Sequence, residues 1–160
     1  LILSALWNPG REPTRVIPLP PILEKIGAVH CLALTSDNFE FTRSDSFVSG
    51  KGEAGRGVSI LEFDENTGFA ARFNSYRFSV SSNASTFVSK AYSALCECVD
   101  KAIPADYSLT QESAMVINNT RALHCRDVIK DNRRVLVRIF GLSRFASPIV
   151  ISENPLLLQG

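Results

Sequence analysis

The stretch Ala114–Phe140, AMVINNTRALHCRDVIKDNRRVLVRIF, decides how this chain is read. Three short runs rich in β-branched and aliphatic residues, AMVINN, RALHCRD and RVLVRIF, are separated by polar turns, a pattern of antiparallel strands. Within it, His124 and Arg138 stand fourteen positions apart. Alternate side chains of a strand share a face, so an imidazole near the end of one strand and a guanidinium on the next can both enter a barrel interior. A guanidinium there needs an anion, and arginine matches carboxylate through two parallel hydrogen bonds. The plain alternative is an exposed or hydrogen-bonded His124 and a solvent-facing Arg138, and strand periodicity is compatible with both.

Working outward, the rest of the chain predicts a mainly β protein with two flanking helices. Leu1–Trp7 reads as a buried strand, NPGREP as a turn, and TRVIPL as a second extended run. Apolar from its first residue, the chain is expected to continue a longer polypeptide, since natural termini are usually polar and loosely held. Pro20 and Pro21 open a helix through ILEKIGAVHCLAL, with Ile22, Leu23, Ile26, Val29 and His30 on one face. FEFT, VSILEFD and GFAARFNSYRF return to the β pattern around a glycine-rich surface loop, VSGKGEAGRG. From Ser85, a reasonable N-cap, to about Ala102 the spacing is helical, with Phe87, Ala91, Ala94, Leu95 and Cys98 on the inner face. Strands, one long helix and more strands point to a jelly-roll, a double-stranded β-helix, over residues 1–160 as a single domain incomplete at its N-terminus.

Composition narrows the function classes. With 45% hydrophobic and 21% charged residues the chain should fold and bury a core. Seventeen basic against sixteen acidic residues give +1, so charge calls for neither nucleic acid nor an anionic membrane. No apolar run reaches membrane-span length. Cys31, Cys96, Cys98 and Cys125 lack paired C-x-x-C spacing and read as reduced thiols of a cytoplasmic protein, with buried small hydrophobes the default for all four. The dipeptide HC recurs at His30 and His124, but the two are too far apart in sequence for a zinc module.

The block MVINNTRALHCRD followed by NRRVLVRIF resembles the C-terminal strands of the Fe(II)- and 2-oxoglutarate-dependent oxygenases of the taurine dioxygenase and clavaminate synthase group. Those proteins carry N-N-x-R-x-x-H-G-R and, fourteen residues after the histidine, an arginine in an R-W-L-Q-R context; here Asn118, Asn119, Arg121, His124 and Arg126 match, then Arg134, Leu136 and Arg138. The resemblance implies that His124 is an iron ligand and that Arg138 binds the distal carboxylate of 2-oxoglutarate. LILSALWNPGREPT resembles the family's earlier strand and turn, with Thr14 where a threonine helps hold 2-oxoglutarate. SDSF, ending at Phe47, and ARFN follow in the family's order; Arg72 and Asn74 of the latter are candidate substrate contacts.

The departures are specific. A facial triad needs two histidines and one carboxylate. The only other histidine, His30, has no carboxylate two positions on, so the family's H-x-D or H-x-E pair is expected upstream of this chain or is lost. Cys125 replaces a glycine, Val135 a tryptophan, and Gln111–Ser113 a turn that usually has glycine and aspartate. In amino-acid-hydroxylating relatives a second arginine, four residues beyond the first, binds the substrate carboxylate; counted from Arg138 that position is Leu142, with Arg144 nearby. The expected function is oxidation of a C–H bond of a small molecule with Fe(II) and 2-oxoglutarate. The competing expectation is a non-catalytic jelly-roll domain that binds a carboxylate ligand or a protein partner.

Overall fold

The computed structural model describes residues 1–42, 55–125 and 130–141, together with the backbone of two short strands at 149–150 and 158–159. Phe47, Arg126, Leu142, Arg144 and the glycine-rich loop as far as residue 54 lie outside the described residues. In chain order the elements are β1 (Ile2–Trp7), β2 (Thr14–Pro18), α1 (Leu19–Leu34), β3 (Phe39–Phe41), β4 (Gly55–Val58), β5 (Leu61–Asp64), β6 (Gly68–Ala71) and β7 (Phe78–Val80). They continue with α2 (Thr86–Asp100), β8 (Ala105–Tyr107), β9 (Ala114–Val116), β10 (Ala122–Cys125), β11 (Val135–Ile139), β12 (Ile149–Val150) and β13 (Leu158–Gln159). The mainly β composition with two helices is as expected, and the chain divides into two compact units.

One unit comprises residues 1–16, 106–119 and 124–160. Its sheet has the order β11-β1-β9, all antiparallel, with Leu3 opposite both Arg138 and Met115. Cross-strand partners share a face, so Arg138 and Met115 lie on the side where Leu3 and Ala5 are buried. The expectation that Leu1–Trp7 is a buried strand is met at Leu3 and Ala5, while Ile2 and Leu6 are exposed because the strand's period of two sends them to the other face, and Trp7 is exposed beyond the register shift that interrupts pairing between Ala5 and Trp7. The strand is nonetheless held at its start, where the Leu1 amino group donates to the Ile117 carbonyl (3.0 Å) and the Ile117 N–H donates back to the Leu1 carbonyl (2.8 Å).

The other unit, residues 17–105 and 120–123, contains the main apolar core. Ile22 and Ile26 from α1, Phe39 from β3, Ile60, Leu61 and Val88, Ala91 and Leu95 from α2 are all buried in it. Val29 and Phe87 do not join them, and each miss has a cause. In α1, Gly27 adopts φ 78° and ψ 158°, outside helical space, so two helical segments meet there at a kink. The stripe begun by Ile22 and Ile26 is rotated past the kink: Cys31 and Leu34 are buried while Val29 is 65% exposed. In α2 the inner face runs through Val88, Ala91 and Leu95, leaving Phe87 one position off it, half-exposed with its ring 5.8 Å from that of His30. All four cysteines are free thiols; Cys31 is buried, and that burial pushes its thiol pKa up.

The Ser85 hydroxyl accepts a hydrogen bond from the Val88 N–H at 3.3 Å, capping α2 as its sequence predicts. Ser85→Ala should therefore cost about 1 kcal/mol, seen as a lower urea midpoint with unchanged slope, whereas Ser85→Asp should retain most of the stability. Among the described residues no helix is long and apolar enough to cross a membrane.

Candidate functional site: Thr14, Arg134 and His124

Thr14 opens β2, and it is the buried polar residue of the described chain, 5% exposed. A buried hydroxyl needs a partner. Its partner is Arg134, whose Nη2 donates to Thr14 Oγ1 at 2.7 Å. Because that oxygen accepts from the guanidinium, this bond leaves the hydroxyl hydrogen of Thr14 uncommitted. Donors of this kind, one of them charged and partly sheltered, suit a carboxylate.

Arg138 follows four residues later. It faces the Leu3 side of the sheet, is exposed, and its guanidinium carbon lies 5.0 Å from the centre of the ring of Phe140, just past the end of β11. The sequence places Thr14 and Arg138 on one anion, but the hydroxyl of Thr14 is engaged by Arg134. Counting fourteen residues from His124 crosses the connection between β10 and β11, and connections vary in length. In R-V-L-V-R, as in R-W-L-Q-R, two arginines stand four apart, here Arg134 and Arg138.

His124 sits near the end of β10, in a sheet of order β10-β2-β8, so its strand is the neighbour of the strand that carries Thr14. The residues just before it are tied down locally: the Leu19 N–H donates to the Arg121 carbonyl (2.9 Å), the Ala71 N–H to the Thr120 carbonyl (2.8 Å), and Arg121 Nη1 to the Phe69 carbonyl (2.6 Å). Although His124 is open to solvent by residue area, its pKa lies below the ordinary imidazole value. Partial loss of hydration is the leading cause, then the positive charge of Arg138. The imidazole is thus neutral at neutral pH, the form with a lone pair to offer a metal.

The fit to the two expected cofactors differs. The Thr14–Arg134 pair suits a carboxylate such as that of 2-oxoglutarate. For iron, the described residues contain no group of three or more histidine, cysteine, aspartate or glutamate side chains placed to hold a metal, so they do not by themselves make up an iron site. Arg72 and Asn74 belong to the other unit. The Arg72 guanidinium lies 5.3 Å from the centre of the Phe41 ring, and the Asn74 side-chain oxygen accepts the Tyr76 N–H at 2.9 Å, a turn-forming role.

The fold is that of the jelly-roll non-haem iron oxygenases. In particular, the chain is similar to crystal structures of the non-heme iron oxygenase OrfP: at 26% identity and a TM-score of 0.67 to its complex with Fe, succinate and (3S)-hydroxy-L-Arg, and at 26% and 0.66 to its complex with Fe and alpha-ketoglutaric acid. A third, with Fe and L-canavanine, matches at 25% and 0.67. Each match covers 84% of this chain and 41%, 42% and 44% of those chains respectively, so the chain spans about two fifths of their length. No protein-family model matches the sequence, and no curated protein matches it significantly.

Proposed function

We propose that this chain is part of an Fe(II)- and 2-oxoglutarate-dependent oxygenase acting on a small molecule. Thr14 and Arg134 hold the distal carboxylate of 2-oxoglutarate, and His124 contributes one iron ligand. The observation that carries this reading is the 2.7 Å bond from Arg134 to the buried Thr14, which sets a guanidinium and a hydroxyl side by side. The likeness to OrfP, in complexes that contain Fe and alpha-ketoglutaric acid, supports it. The remaining iron ligands, an H-x-D or H-x-E pair, are to be supplied by polypeptide other than these 160 residues.

With Arg134 as the first arginine of the motif, Arg138 takes the place of the second, which in the resembled family binds the carboxylate of an amino-acid substrate. An amino acid is therefore the proposed substrate class, a reading also supported by the L-canavanine and hydroxy-L-Arg bound to OrfP. In the full-length gene product, succinate formation from 2-oxoglutarate with Fe(II) should be stimulated by amino acids of the arginine type. Arg138→Ala should raise the KM for the amino acid by about ten- to a hundredfold, consistent with losing a charged partner at a partly exposed site, while leaving the affinity for 2-oxoglutarate near that of the parent. Binding of 2-oxoglutarate without turnover under any of these conditions would favour the non-catalytic carboxylate-binding domain instead.

A further inference from the structure

Arg134 reaches Thr14 only if the chain turns into β11 at the right place. That turn is held from within by Asp131. Its Oδ1 accepts from the Arg133 N–H (3.1 Å) and Nε (2.9 Å), its Oδ2 from Arg133 Nη2 (2.9 Å), and its carbonyl from the Arg134 N–H (3.3 Å). These bonds draw the Arg133 side chain, 68% exposed, outward toward solvent and leave the next residue to face Thr14.

The turn is also met from outside, by the segment between β1 and β2. Gly10 packs on Asp131 so closely that a Cβ at position 10 would lie 3.2 Å from both Asp131 Cβ and Oδ2, tighter than side-chain carbons ordinarily approach. Neither side can retreat easily. The Asn8 amide nitrogen donates to the carbonyls of Glu12 and Leu109 (3.0 Å each), its side-chain oxygen accepts the Glu12 N–H (2.9 Å), and the Ser108 hydroxyl donates to the Arg11 carbonyl (2.7 Å). Gly10 has no positive φ, so an alanine there meets a steric conflict with Asp131 and no backbone strain.

We propose that Gly10 and Asp131 are positioning residues for the cosubstrate arginine: the missing side chain at Gly10 seats Asp131, and Asp131 sets the turn that aims Arg134 at Thr14. The geometric part stands on these contacts alone; its consequence for 2-oxoglutarate rests on the function proposed above.

The test uses the full-length gene product and four variants: Gly10→Ala, Asp131→Ala, Arg134→Gln, and Gly141→Ala as a control, since a Cβ at Gly141 meets none of the described residues within 4 Å. Two readouts are taken, the exchange-protected guanidinium NMR signals of Arg134 and the affinity for 2-oxoglutarate itself. Gly10→Ala and Asp131→Ala should each remove the protection of Arg134 while the methyl signals of Leu34 and Leu95 stay in place, and should weaken 2-oxoglutarate about ten- to a hundredfold, the usual effect of moving a positioning group by an ångström. Gly141→Ala should change neither. Retained Arg134 protection in both variants overturns the proposal, as does weakened binding with the Arg134 signals unchanged. Should the parent protein fail to bind 2-oxoglutarate while Gly10→Ala still frees Arg134, the positioning role holds and the cosubstrate reading fails. If Gly10→Ala does not fold, Asp131→Ala decides.

Discussion

Replacing Arg134 by alanine should weaken 2-oxoglutarate binding by roughly 2–5 kcal/mol, a loss of about thirtyfold or more, because a sheltered carboxylate loses its charged partner. Thr14→Val removes one neutral hydroxyl donor and should cost less, about 0.5–1.5 kcal/mol for a neutral hydrogen bond, with any added cost coming from the Arg134 N–H left facing a methyl group. Arg134→Lys keeps the charge but not the planar fork and should fall between the parent and alanine. Isothermal titration with 2-oxoglutarate checks the order. A protein in which Arg138→Ala abolishes binding and Arg134→Ala does not would return the cosubstrate to Arg138.

Phe39→Ala should be the most destabilising single truncation in the larger core. Phe39 is 0% exposed, stands opposite Val58 and Val80 on its two neighbouring strands, and lies with its ring centre 6.0 Å from that of Tyr92. Deleting the ring leaves a cavity that helix and sheet cannot both close, at about 3–5 kcal/mol. Against a typical total of about 5–15 kcal/mol this is a large share. Urea unfolding should show a midpoint well below that of Ser85→Ala. The neighbouring Tyr92 is a second tie across the same contact: its hydroxyl donates to the Phe78 carbonyl at 2.6 Å, and burial pushes its pKa up to about 12.

Much of this fold is legible in the sequence because its strands and its second helix obey simple periods. Val88, Ala91 and Leu95 follow from helical spacing, Ser85 from its capping chemistry, and β9, β10 and β11 from runs between polar turns. What escapes the sequence is set by single residues that break a period. Gly27 rotates the second half of α1, and nothing in a count of apolar positions announces its positive φ. The register shift after Ala5 likewise reaches across strands that are more than a hundred residues apart in sequence. The site divides in the same way. His124 and Thr14 are marked by residue type and motif, whereas the bond from Arg134 to Thr14 joins residues 120 apart in sequence and is seen only in the folded chain.

The break at Gly27 also bears on the order in which the molecule assembles. It leaves α1 as two pieces of about two turns each, well short of the roughly 12–15 residues at which an isolated helix begins to hold its shape in water. Neither piece can serve as an early, self-supporting nucleus. Both acquire helical structure only as Ile22, Ile26, Cys31 and Leu34 find the core, so α1 records tertiary assembly while α2, unbroken over fifteen residues and capped, is the better seed for it.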